Sequence, residues 1–221
     1  MPPIRRRRCS ATSPRTASPP EKIIPVDDAV VEAFLGDSVD AGTGRMVDAH
    51  GQADGALRTV LFTDPVGSPS MRQRLGDAEA MRVIRAHDGL VRREFDARGG
   101  WIVKHTGDGH MAAFPTVTAA ILGAISVQQA FRAYNERTPE EPIEVRIGMS
   151  AGEPVDEGKD LFGAAVQLAR RVCDAAGAGQ ICVSNVVREL CVGKEIAFAD
   201  LGETTLRGFD EPVHLYEVRW S

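Results

Sequence analysis

The stretch Arg58-Thr-Val-Leu-Phe-Thr-Asp-Pro-Val-Gly-Ser68 runs an apolar segment straight into an acid, a proline and a glycine. Such an order fits a buried strand that ends by delivering Asp64 to solvent. Some forty residues on, Trp101-Ile-Val-Lys-His-Thr-Gly-Asp-Gly-His-Met-Ala-Ala-Phe114 holds Asp108 between two glycines in what reads as a hairpin turn. Two strands thus offer two carboxylates at tight turns. Paired acids at strand ends suit hard divalent cations, which take oxygen ligands and keep positions open for phosphate oxygens. Taken singly, each is also plain turn chemistry, and Asp64 could equally cap a following helix.

The segments around these acids have a readable order. Met71, Leu75, Ala78, Met81, Ile84, Leu90 or Val91, and Phe95 follow a helical period that stops at Gly99-Gly100. A second helix is expected from Val117 to about Tyr134. Ile143, Val145, Ile147 and Met149 alternate with Glu144, Arg146, Gly148 and Ser150, the pattern of a half-buried strand. A third helix is expected over about Leu161 to Ala176, with Leu161, Ala165, Leu168 and Val172 inward and Gln167 and Arg171 one turn apart. Ile181–Ser184 reads as a strand, Val186–Leu190 as a short helix, and Ala197-Phe198, Thr205-Leu206 and Val213–Val218 as strands. The order β-α-β-β-α-β-α-β implies an α+β sandwich, a mainly antiparallel sheet with helices packed on one face.

Upstream, residues 1–22 combine Arg5 to Arg8 with many Ser, Thr and Pro, a composition expected to stay disordered. Residues 23–55 read as a short amphipathic helix over Asp28 to Leu35 and a Gly- and Asp-rich linker, so the compact domain is expected to occupy 56–221. With 43% hydrophobic residues among 221 there is ample material for a core. A net charge of −5 gives no electrostatic case for nucleic acid or an anionic membrane. No run of 18 apolar residues is present to anchor the chain in a bilayer, and no apolar segment follows the arginines as in a secretory signal. Cys9, Cys173, Cys182 and Cys191 lack zinc-type spacing and are expected to be small buried residues in a cytoplasmic protein.

Taken jointly, Phe62-Thr-Asp-x-x-Gly-Ser68, Val103-Lys-x-Thr-Gly-Asp-Gly109, Val145-Arg-Ile-Gly-x-x-x-Gly152, Asp160-x-x-Gly163 with Ala165-Val-x-x-Ala-x-Arg171, and Leu206-x-Gly208 resemble the class III nucleotidyl cyclase catalytic domain, of the bacterial adenylate cyclase type. The resemblance spans about residues 56 to 219 and implies a ferredoxin-like cyclase sandwich. It also implies conversion of a nucleoside triphosphate to a 3',5'-cyclic monophosphate and pyrophosphate in a homodimer with shared active sites. Carried over residue by residue, Asp64, Asp108 and the Pro65 carbonyl would hold two Mg²⁺ or Mn²⁺ ions. Gly67 and Ser68 would belong to the phosphate loop, Arg171 would stabilise the α-phosphate, and Arg207 would meet the terminal phosphates. Lys104 and Asp160 would read the base from the partner subunit. An ammonium donor beside a carboxylate acceptor matches N1 and the 6-amino group of adenine, which argues for ATP. On their own, Lys104 could be a solvated strand residue and Asp160 a helix N-cap.

Three residues depart from the family pattern. Gln167 stands where active members usually carry the asparagine that orients the ribose. Pro65 replaces an aliphatic residue, and Pro69 replaces a threonine and has no amide N–H to offer phosphate. The expectation is therefore an adenylate cyclase, with a weak or inactive pseudo-cyclase acting as a nucleotide-binding regulatory module as the alternative.

Overall fold

The structure, a computed structural model, describes residues 55–67, 76–140, 142–157 and 160–221. The arginine-rich arm, the helix expected at Asp28 to Leu35 and its linker, together with Ser68, Pro69, Met71 and Leu75, lie outside the described residues.

Strand β1 (Arg58–Pro65) is buried along almost its whole length because it lies between two partners, β3 (Gly109–Phe114) and β4 (Val145–Gly152), both antiparallel to it. Strand β2 (Trp101–Thr106) pairs with β3 through the Gly107-Asp108 turn, as the glycine pattern predicts. Strands β7 (Ile181–Ser184), β8 (Phe198–Thr204) and β9 (Val213–Val218) complete a seven-stranded sheet of order β2-β3-β1-β4-β7-β9-β8. Among the described strands only β4 and β7 run parallel. A separate two-stranded hairpin joins β5 (Val155–Asp156) to β6 (Leu161–Phe162).

Helix α1 (Asp77–Asp96) and helix α2 (Val117–Arg137) lie on one face. Thr116 caps α2 by accepting a hydrogen bond from the Ala119 amide. Its residues Val117, Ala120, Ile121, Ala124, Val127 and Phe131 then bury a continuous stripe against Leu61, Ala112, Phe114 and Ile147. The short helix α4 (Asn185–Glu189) adds Val187 to the same core. On α1 the buried stripe runs through Ala80, Val83, His87, Val91 and Phe95, whereas Met81, expected inside, is 46% exposed.

Helix α3 (Ala164–Ala175) covers the opposite face, packing Ala169 and Cys173 on Val60, Phe62, Met111 and Ala113. The α+β class and mainly antiparallel sheet stand as expected, but the helices occupy both faces rather than one. The reason lies at β4, where Glu144, Arg146, Gly148 and Ser150 read as the solvent side of a half-buried strand. Gly148 and Gly152 are small because helix α3 rides on them. A Cβ at Gly148 would sit 2.0 Å from the Cys173 amide nitrogen, and one at Gly152 2.7 Å from the Ala165 Cβ. Strand β4 is therefore buried on both sides instead of half-buried.

Two boundaries also differ from the sequence reading. Leu161 belongs to β6, and α3 starts only after Gly163, whose φ of 123° breaks the chain direction. Thr205-Leu206 is not a strand but leads into the turn after β8.

Candidate active site

Alternation along β1 puts Val60, Phe62 and Asp64 toward α3, and Leu61 and Thr63 toward α1 and α2. The Asp64 carboxylate is thus aimed at the α3 side. Register places Asp64 opposite Arg146, and Arg146 donates through Nε at 2.9 Å and also through Nη2 to Asp64 Oδ2. Burial works against the Arg146 charge, but the hydrogen bond and charge of Asp64 outweigh it and raise its pKa further. Through Nη1, Arg146 also donates to the Asp174 carbonyl at 3.1 Å, which ties β4 to the end of α3.

The hairpin carrying Asp108 is pressed onto this strand end. Thr63 pairs with His110, and a Cβ added at Gly109 would lie 1.9 Å from the Thr63 carbonyl oxygen and 3.2 Å from Asp64 Cα. Only glycine permits that approach, and it brings the Asp108 turn beside Asp64. The backbone carrying Asp108 thus lies next to the strand end that carries Asp64 and Pro65, and carboxylate and carbonyl oxygens are the donor type a hard divalent ion takes. Pro65 stands opposite Val145 at the end of the ladder, and the Val66 amide donates to the Glu144 carbonyl. Gly67 follows at φ 76°.

On the same sheet face, Lys104 and Asp160 meet in an ion pair between Nζ and Oδ2. Asp160 Oδ1 also accepts from the Leu161 amide at 2.8 Å, and the Phe162 ring lies 5.6 Å from Lys104 Nζ. The helix N-cap reading of Asp160 is thereby set aside, since Gly163 occupies that position. Arg171 projects from α3 and is held at two points, donating to Asp174 Oδ2 at 3.0 Å and to the Arg207 carbonyl at 3.1 Å. Gln167, one turn earlier on the same helix, is exposed, as is Arg207. Three groups are therefore assembled: Asp64 with Arg146, the Lys104–Asp160 pair, and Arg171 with the Arg207 loop. A cavity of about 400 Å³ lined by residues including Gln128, Arg132 and Trp220 contains none of them.

Sequence reasoning missed Arg146 and Asp174. Asp174 lies three residues after Arg171 and four after Arg170, and it bridges both arginines. That helical spacing could have revealed it. Arg146 was hidden in an alternation read as solvent-facing. A third missed group, His87 with Asp88 and His110, lies on the other face of the sheet. Burial, with the nearby His87 charge, pushes the pKa of His110 down to about 4.

The structure is thus a mainly antiparallel α+β sheet with acids at two adjacent strand ends and an arginine-bearing helix on the same face as Asp64. Comparison with known proteins makes this specific. The family model described as "Adenylate and Guanylate cyclase catalytic domain" matches residues 56–219, and the chain belongs to that family. Cyclase domains of this family use divalent metals, act on nucleotides and typically dimerise.

Among relatives, "Putative adenylate cyclase 3" of Rhizobium meliloti is 29% identical over 167 residues, covering 75% of this chain and 28% of that protein. An adenylate cyclase of Podospora anserina is 32% identical over 172 residues, covering 66% of this chain and 8% of that protein. The chain thus spans less than a third of the length of either. Among solved structures, the adenylate/guanylate cyclase/hydrolase from Silicibacter pomeroyi has a TM-score of 0.67 at 33% identity, covering 73% of this chain and 95% of that one. The adenylyl cyclase CyaB from P. aeruginosa has a TM-score of 0.69, covering 75% and 94%, and at 23% identity it speaks to the fold alone. No helix among the described residues is long and apolar enough to cross a membrane.

Proposed function

We propose that the chain is an adenylate cyclase that converts ATP to 3',5'-cyclic AMP and pyrophosphate in the cytoplasm, as a homodimer with two shared sites. The observation that carries this reading is the contact between Lys104 and Asp160 on the same sheet face as Asp64. A donor beside an acceptor suits the N1 and 6-amino edge of adenine, and guanine would present the reverse. Asp64, Asp108 and the Pro65 carbonyl would hold two Mg²⁺ or Mn²⁺ ions, which supply activation of the ribose 3'-hydroxyl and charge neutralisation at the triphosphate. Gln167 would orient the ribose. Arg171, fixed by Asp174 and the Arg207 carbonyl, would place its charge at the α-phosphate without having to reorganise. Gly67, Ser68 and the Arg207 side chain would meet the remaining phosphates.

The test is to incubate the purified protein with ATP and Mn²⁺ or Mg²⁺ and quantify cyclic AMP. Product formation lost in Asp64→Ala supports the reading. If nucleotide binds but no product forms in the parent protein, the pseudo-cyclase reading replaces it, with Gln167, Pro65 and Pro69 as the residues to revert.

A further inference from the structure

Three of the chain's five histidines gather on the α1–α2 face of the sheet, the face opposite Asp64. Helix α1 supplies His87 and the adjacent Asp88, while the cross-strand pair of β2 and β3 supplies His105 and His110. His87 Nδ1 lies 3.3 Å from Asp88 Oδ1, and His110 Nε2 lies 3.4 Å from the same oxygen. The second distance is within ion-pair range, yet its geometry does not make a hydrogen bond. His87 Nε2 and both ring nitrogens of His110 are buried without a hydrogen-bond partner. His87 is 1% exposed and His110 is fully buried, so these polar atoms are inside the core without a hydrogen bond.

We propose that His87, Asp88 and His110 form a binding site for a borderline transition-metal ion of the Zn²⁺ class, separate from the hard-ion site at Asp64 and Asp108. One ligand atom from each residue lies within 4.8 Å of the other two. Around a tetrahedral zinc with bonds of about 2.0 Å, ligand atoms stand about 3.3 Å apart, which two of the three separations already match. The His87 and His110 rings stack at 24°, so one ring must turn about its χ2 bond to aim both lone pairs at a common centre. That torsion is broad for histidine. A cavity of about 20 Å³ beside His87, room for about one water, gives space for the turn.

Two imidazoles and one carboxylate favour Zn²⁺ over Mg²⁺, which prefers oxygen donors. His105, exposed and with its ring centroid 4.6 Å from that of His110, is the next histidine but lies outside the three-residue cluster, which leaves the fourth position to water. An ion held here would clasp α1 to the first residues of β3. His110 is two residues past Asp108, so occupancy would stiffen the hairpin that carries that carboxylate.

The test is titration of the full chain with Zn²⁺ by calorimetry in excess Mg²⁺, and with Co²⁺ followed by visible absorption as a report on nitrogen and oxygen coordination. The expected result is one ion per chain and a thermal midpoint that rises with Zn²⁺. His87→Gln and His110→Gln should each weaken binding by on the order of 100-fold or more, while Asp64→Asn leaves it unchanged. Should His110→Gln fail to fold, Asp88→Asn, at a side chain one third exposed, decides alone. Absence of Zn²⁺ binding overturns the proposal. So does binding that survives the histidine and Asp88 variants but is lost in Asp64→Asn, which puts the ion at the acids, or in His214→Gln, which makes it an adventitious surface site.

Discussion

Gly109→Ala tests how the two acids are brought together. The added Cβ would stand 1.9 Å from the Thr63 carbonyl oxygen and 2.9 Å from its carbon, both backbone atoms that no rotamer change can move. An ordinary carbon–oxygen contact is about 3.3 Å, so the start of β3 must retreat from β1 by about 1.4 Å. Overpacking of this kind costs about 1–3 kcal/mol. Because Asp108 precedes Gly109 directly, the same retreat moves its carboxylate away from Asp64, and a misplacement of about 1 Å costs on the order of 100-fold in rate. The assay is a urea unfolding curve paired with initial rates of cyclic AMP formation in Mn²⁺. Gly107→Ala is the control: its φ of 83° is strained for alanine, but a Cβ there meets nothing within 4 Å. It should lose stability through strain with a smaller loss of rate per kcal/mol. A Gly109→Ala protein as stable and as active as the parent would refute the argument that this close approach positions the acids.

Arg146→Ala should cost about 1–3 kcal/mol, because the Asp64 carboxylate, 18% exposed, loses its partner. A divalent ion can compensate that charge, so Mn²⁺ should raise the thermal midpoint more in the variant than in the parent; an equal rise would mean the ion does not reach Asp64. Mixing Asp108→Ala with Arg171→Ala protein should restore one intact site per heterodimer, and no recovery with heterodimers demonstrated counts against shared sites. Gln167→Asn should raise kcat and leave KM for ATP within a few-fold, since ribose orientation matters mainly in the transition state; a slower variant sinks that account. Cys173 and Cys182 are buried, and burial pushes both thiols up to about 12, so they stay protonated through neutral and mildly alkaline pH. Neither should react with a thiol reagent at pH 8 until the protein is denatured, and rapid native-state labelling would show that the core around them opens.

Local chemistry alone determined a good deal of this protein. The apolar run into Asp64, the glycines flanking Asp108 and the helical period ahead of Gly99 are short-range signals, and the strand, the hairpin and α1 appear where they point. Asp64 and Asp108 stand out as acids at tight turns, whereas Lys104, Asp160 and Arg171 could be named only through the joint resemblance of several motifs, each weak by itself. Tertiary structure decided whatever depends on what lies across a gap in sequence. Gly148 looks like part of a solvent face until α3 is seen resting on it, since smallness is the same signal for exposure and for close backbone approach. Arg146 meets Asp64 only through strand register across 82 positions. His87 and His110 come together only when α1 folds over β3, and a histidine in an apolar helical stripe gives no local sign of what it will face. Periodicity encodes which side of an element is buried, but not which element buries it.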